Sequence, residues 1–336
     1  MVAENKLPVL DMLSDAMRDV VRISAELAPE AYDTSAGFEA MRAAYVLERR
    51  YWNEGGPAMS STRDTEIATP DGQVTVRFHT PQGAPPKSPA IVYIHGGGFV
   101  LGGLDTHDKI MRVLADETKS IVVGVDYSLS PEAKFPTAVV QCVSVAQHLH
   151  KNGAHYGIDG DKLGFAGDSG GAMLCLGSYL YLRDEMGEGT GYVKALLLYY
   201  GMFGLRDSIS RRLLGGPWDG CAQEDLDYYM QCYLASPEDA YSPYVDCLSA
   251  DLRQMPPAFI VAAELDPLRD DSTALASILD RHDSPNRLVV FPGVLHAFLH
   301  NSRHLPEAMD ALRQGAAFFR EAVSATPPEP KPTTTN

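Results

Sequence analysis

Residues 162–176 read KLGFAGDSGGAMLCL. Leu163–Ala166 is a short apolar run, Gly167-Asp168-Ser169-Gly170-Gly171 interrupts it, and Ala172–Leu176 resumes with helix-forming residues. A strand that turns this sharply into a helix has no room for side chains beside its central residue, so glycines flank the serine. The turn lifts the Ser169 hydroxyl above the sheet. It also puts the next amide N–H at a helix N-terminus, facing developing negative charge. Ser169 is the candidate nucleophile. A glycine-rich phosphate loop or plain turn is the rival reading, disfavoured by the strand before and the helix after.

Working outward, apolar runs at 90–95, 121–125, 162–167, 194–200 and 258–263 are nearly continuous, as parallel strands covered on both faces should be. LVVF at 288–291 is a further strand. Val74, Val76 and Phe78 alternate with polar residues after the Asp71-Gly72 turn signal and predict a half-buried strand. Helical patterns lie between the runs, near 107–118, 136–150, 171–185, 271–282 and 306–322. The alternation predicts an α/β protein with a mostly parallel central sheet flanked by helices.

Two segments are not needed for that sheet. Leu7, Leu10, Leu13, Met17, Val20 and Val21 predict one amphipathic helix over 7–23, and 38–52 a second. Residues 201–256 show no strand and carry Trp218, Tyr228, Tyr229, Tyr233, Tyr241 and Tyr244. A connection that long is expected to be helical and functional. The expected organisation is N-terminal helices over 1–60 contributing to a cap, a core of 61–200 and 257–322, a cap insertion over 201–256, and a disordered Pro- and Thr-rich tail over 323–336. Aromatics of the insertion are expected to wall the site, Trp218 and Tyr233 being the first to test.

The 336 residues carry a formal net charge of -16, which repels polyanions and argues against nucleic acid or an anionic membrane surface as partner. No run of about eighteen apolar residues and no secretory signal is evident. The five cysteines form no C-x-x-C pair and read as reduced thiols of a cytoplasmic protein. No Cys/His group has zinc-ligand spacing, so no metal is expected.

His95-Gly96-Gly97-Gly98-Phe99 follows the strand 90–94. Bare backbone there lets amide N–H groups point at one spot, where they would meet the Gly170 amide around an anionic oxygen. His95 is expected to shape the loop rather than act as base. Asp266 and His296 each follow a strand, at the C-terminal ends where open α/β sheets place their sites. Asp266 would fix the imidazole tautomer, and His296 would take the Ser169 proton. Glu264 is the rival carboxylate, while Asp270 and Asp271 are expected to charge the next helix N-terminus. The spacing of His296 and His300 permits a shared helix face, but no carboxylate motif beside them points to a metal site, and His304 lies further on. His148 and His150 are expected at the surface. GDSGG also matches the nucleophile segment of chymotrypsin-like proteases, with His95 and Asp126 in their order. The strand–helix alternation opposes that reading.

HGGGFVLGGLDTHD, DYSLSPEAKFP, GFAGDSGGAML, AAELDPLRDDS and PGVLHAFLH together resemble, in order, the signature segments of the hormone-sensitive-lipase-like (GDXG) carboxylesterases. The resemblance runs from about residue 5 to residue 322. NKLPVLD, LERRYWN and GLRDSISRRLLGGPWDG narrow it to the bacterial acetyl esterases. It implies the α/β-hydrolase fold with a helical cap, and a cytoplasmic enzyme without cofactor acting on short-chain acyl esters. It implies Ser169, Asp266 and His296 as triad, Gly97, Gly98 and Gly170 as oxyanion donors, and His95 and Gly96 in the same loop. It also implies a homodimer and contacts with the maltose-regulon activator and an α-galactosidase. One departure is Gly170, where the family often has Ala.

Overall fold

The computed structural model describes residues 6–27, 37–187, 189–216 and 218–325. Eight strands form one sheet: β1 (Met59–Thr69), β2 (Gly72–Pro81), β3 (Ser88–Ile94), β4 (Ile121–Val125), β5 (Ile158–Asp168), β6 (Val193–Tyr199), β7 (Ala258–Ala263) and β8 (Asn286–Phe291). Their order is β1-β2-β4-β3-β5-β6-β7-β8. The β1–β2 and β2–β4 pairs are antiparallel, and every pair from β4 onward is parallel.

The apolar runs are continuous because both faces are covered. In β3, Ala90, Val92 and Ile94 join the core on one side, while Ile91 and Tyr93 join the core on the other. The first core is closed by α5 (Thr137–Asn152), α6 (Gly170–Asp184) and α9 (Arg269–Arg281), the second by α4 (Asp108–Thr118) and α10 (Pro306–Ser324). Apolar burial at roughly 25 cal/mol per Å² on two faces is the main stabilising term.

The edge strand β1 is absent from the sequence reading. Its sequence MSSTRDTEIAT is polar and largely exposed, so it shows no alternation to detect. Its pairing with β2 places it. The first predicted helix is two, α1 (Val9–Met12) and α2 (Asp15–Leu27), broken where the Ser14 hydroxyl accepts from the Met17 amide and the Ser14 amide donates to Gly293 O. The second predicted helix is α3 (Phe38–Asn53). Residues 201–256 carry α7 (Ile209–Leu213), α8 (Gln223–Tyr233) and two 3-10 turns, with no strand among the described residues.

Asp271 departs from its expected part. It sits in the first turn of α9, but its buried carboxylate accepts from the amides of Phe203, Gly204 and Leu205 and faces Arg211 at 3.3 Å. Burial pushes it up to about 6. Asp270 likewise accepts from the Ser210 amide. Both tie the 201–256 segment to the sheet end. His148 and His150 are half-buried rather than exposed, against Tyr156 and Tyr192 respectively. All five cysteines are buried and unpaired. α10 runs to Ser324, and the tail from 326 lies outside the described residues. Among the described residues, no helix is long and apolar enough to cross a membrane.

Candidate active site

Three parallel strands of the sheet deliver three side chains. Ser169 follows β5 directly, Asp266 lies three residues past β7, and His296 five residues past β8. The Ser169 backbone is strained, at φ 55 and ψ -127, a region that L-residues rarely occupy. Its amide donates to Tyr199 O at 2.9 Å, and its carbonyl accepts from Ala172, so strand and helix pin the turn from both sides.

The Ser169 hydroxyl lies 2.8 Å from His296 Nε2, and His296 Nδ1 lies 2.8 Å from Asp266 Oδ2. Asp266 Oδ1 accepts from the Leu268 amide, and the carboxylate is fully buried. Glu264 is placed elsewhere: its side chain accepts from the Gly293 amide at 2.8 Å and so holds the loop that presents His296. Burial pushes the His296 imidazole towards neutrality, but the Asp266 carboxylate and the Cys221 thiol outweigh it and hold its pKa well above the ordinary value.

Gly97 and Gly98 have φ of 115 and 57. A Cβ on Gly97 would meet Leu101 O at 2.4 Å, and one on Gly98 the Tyr229 ring at 2.6 Å, so only glycine fits either position. Among the described residues, nothing accepts from the amides of Gly97, Gly98 or Gly170. The departure at Gly170 has a local reason. A Cβ there would come within 3.1 Å of the Phe99 ring, which is clamped by Tyr233 at 4.1 Å between ring centres.

His95 donates to or accepts from no triad member. Its Nδ1 is 2.9 Å from Gly96 O, its ring stacks on Tyr127, and its carbonyl accepts from the Tyr127 hydroxyl. The protease-like pairing of His95 with Asp126 is thus ruled out. Burial holds His95 neutral, down at about 3.

Asp168 is a residue of the candidate site that sequence reasoning missed. Its Oδ1 accepts from the Tyr93 hydroxyl at 2.7 Å and from the Gly96 amide at 3.0 Å. His107 Nε2 and His300 Nε2 lie 3.4 and 3.8 Å from its oxygens. Burial alone would raise its pKa, but His107, His300 and Tyr93 hold it well below the usual carboxylate range. His107, Asp168 and His300 offer donor atoms within 4.8 Å of one another, the one group of that kind among the described residues. Spacing along the chain could not show it, because three separate elements contribute. Asp168 is already committed to the loop that carries Gly96.

The cavity above Ser169 is small, about 40 Å³. It is lined by Tyr45 and Arg49 of α3, by Gly97, Gly98 and Leu101, by Asp219, Gly220, Cys221 and Tyr229, and by the serine and histidines. Met41, Tyr45, Val100, Leu101, Tyr229 and Cys232 pack into one cluster that joins α3, the glycine loop and α8. Arg42 reinforces it, donating to Val100 O and Ser130 O. Tyr233 is not a wall of this cavity: it is buried between Phe99 and Phe135. Trp218 does not line it either. A larger cavity of about 260 Å³, lined by Met173, Met202, Leu226 and Met230 among others, touches none of Ser169, Asp266 and His296. Chemistry rather than size identifies the site.

A family model described as the alpha/beta hydrolase fold matches residues 91–300. An acetyl esterase of Salmonella paratyphi A is 48% identical over 320 residues, 95% of this chain and 98% of that one. The solved structure of a hyperthermophilic esterase from the archaeon Pyrobaculum calidifontis has a TM-score of 0.84 at 33% identity, covering 93% of this chain and all of that one. A thermostable esterase from Pseudomonas putida shares the fold, with a TM-score of 0.85 at 21% identity over 94% of this chain and 99% of that one. The chain belongs to the α/β-hydrolase family, in its hormone-sensitive-lipase-like branch with the bacterial acetyl esterases. It is a carboxylic-ester hydrolase.

Proposed function

We propose that this enzyme hydrolyses short-chain acyl esters, acetyl to butyryl or hexanoyl, with Ser169 as nucleophile, His296 as base and Asp266 orienting the imidazole. The observation that carries the reading is the continuous 2.8 Å chain Ser169–His296–Asp266 beside three uncommitted amides. Neutral His296 takes the Ser169 proton through Nε2 as Oγ attacks the carbonyl carbon. Asp266 stabilises the imidazolium without taking its proton. The carbonyl oxygen becomes an alkoxide facing the amides of Gly97, Gly98 and Gly170, each such donor being worth about 10²–10³-fold in rate. As the tetrahedral intermediate collapses, His296 gives its proton to the departing alcohol oxygen, leaving an acyl-Ser169. Water then attacks by the same route, and the acid leaves.

The helices of 1–60 and the insertion 201–256 serve in this reading as a two-part cap, meeting over the glycine loop through Tyr45 and Tyr229. The small cavity beneath them supports a short acyl group. The dimer and the regulatory contacts implied by the resemblance form no part of it. The test is Ser169→Ala against p-nitrophenyl acetate. Loss of on the order of 10⁴-fold or more in kcat, with circular dichroism unchanged, is expected. Near-normal turnover would reject the assignment.

A further inference from the structure

Asp219 lies in the insertion, just before Gly220 and Cys221, and is 7% exposed. Its Oδ1 accepts from the amides of Cys221 and Gly216 at 3.1 and 3.4 Å. Its Oδ2 is buried and has no hydrogen-bond partner. Leaving such an oxygen unmatched is costly, most of all for an ionised group. Asp219 is also one of the residues lining the cavity that holds Ser169 and His296.

This stretch lies on a definite side of the site. Cys221 lines the cavity beside His296, and burial pushes the Asp219 carboxyl up to about 7, a rise that the charge of His296 opposes. His296 must hand its proton to the departing alcohol, so the alcohol oxygen has to sit beside that ring. The wall next to the leaving group is therefore Asp219-Gly220-Cys221, whereas the glycine loop and Gly170 face the carbonyl oxygen.

We infer that the alcohol half of the substrate carries a free hydroxyl close to the ester oxygen, that Asp219 Oδ2 accepts from it, and that the enzyme is built for partial esters of diols and polyols. The inference rests on the proposed triad and adds the class of alcohol. A simple alkyl alcohol would strand the carboxylate oxygen, while a hydroxyl supplies the one donor it lacks. Sites built to pair with a substrate hydroxyl discriminate strongly against analogues without one, because their own polar group is then left unmatched.

The experiment compares 2-hydroxyethyl acetate with 2-methoxyethyl acetate at pH 8, following acid release. The two alcohols are similar in acidity and differ in whether they can donate. Wild-type kcat/KM should favour the hydroxyethyl ester by about 10–100-fold, the worth of a hydrogen bond to a charged group. In Asp219→Asn the amide can donate to either oxygen, so the ratio should fall to about 1–3 while Oδ1 still serves the backbone amides. A wild-type ratio near one overturns the inference, as does an unchanged ratio in Asp219→Asn. The wild-type comparison stands even where the variant fails to fold. Ser169-dependent cleavage of p-nitrophenyl acetate with a ratio of one would reject this inference alone. Ester cleavage that survives Ser169→Ala would reject the reading beneath it.

Discussion

Asp168 accepts from the Gly96 amide at 3.0 Å, so the residue before the nucleophile holds the first glycine of the loop that faces it. The end of β5 and the end of β3 are thereby locked together, and the positions of Ser169 Oγ and the loop amides are set by one carboxylate. Asp168→Ala should lower kcat by about 10²-fold, comparable to losing a donor, while KM moves little. Asp168→Asn, which keeps an acceptor for Gly96, should recover much of that loss. Equal kcat in the Ala variant and wild type would show that the loop holds its shape without this bond.

The two carboxylates past β7 have different work. Asp266→Asn turns the partner of His296 Nδ1 into a group that favours the wrong tautomer, and should cost about 10⁴-fold in kcat. Glu264→Gln keeps an oxygen for the Gly293 amide and should cost less than about 10-fold. Steady-state kinetics on p-nitrophenyl acetate decide between them, and comparable losses would move the orienting role to Glu264.

As the proposed base, His296 must be neutral to accept the Ser169 proton, so activity should be lost as pH falls through its pKa. Asp266 and Cys221 raise that pKa, and the acid limb should therefore lie above the ordinary imidazole value of about 6.5. Cys221→Ser, which exchanges the thiol for a hydroxyl, should move the limb without removing the limb itself. A kcat/KM profile flat down to about pH 4.5 would exclude a histidine base.

Tyr229 and Tyr233 lie on the same helix but do different jobs. Tyr229→Ala removes a wall of the Ser169 cavity and should shift preference towards longer acyl chains in a C2–C10 p-nitrophenyl ester series. Tyr233→Ala empties a stacked position between Phe99 and Phe135, costing about 3–5 kcal/mol and lowering Tm, with the chain-length profile little changed. The opposite pattern would exchange their roles.

The sequence made the inner parallel strands legible because both of their faces are buried, leaving runs such as AIVYI and AFIVAA that nothing else explains. The candidate residues Ser169, Asp266 and His296 could be picked out because each stands just past an apolar run. β1 was not, since an exposed edge strand has no buried face to write a pattern. Asp168 escaped notice for another reason: next to Ser169 it looked like a spacer, and its partners Tyr93, Gly96, His107 and His300 come from separate segments of the chain. Asp271 looked like a helix-terminal charge, and only the fold shows the amides of Phe203–Leu205 arriving on it. Tyr229 and Tyr233 could not be told apart in sequence, because four residues on a helix separate a cavity wall from a core position only once the neighbours are known.

The hydrogen bond from Ser169 to His296 spans 127 residues, and the strands that present them lie on opposite sides of β6 and β7. Contacts of such long range carry a large loop-closure cost and are satisfied only after the intervening crossovers have docked. During refolding, secondary structure and compaction should therefore return before ester cleavage does. Turnover in this chain is a late clock: it starts only when the far half of the sheet has found the near half.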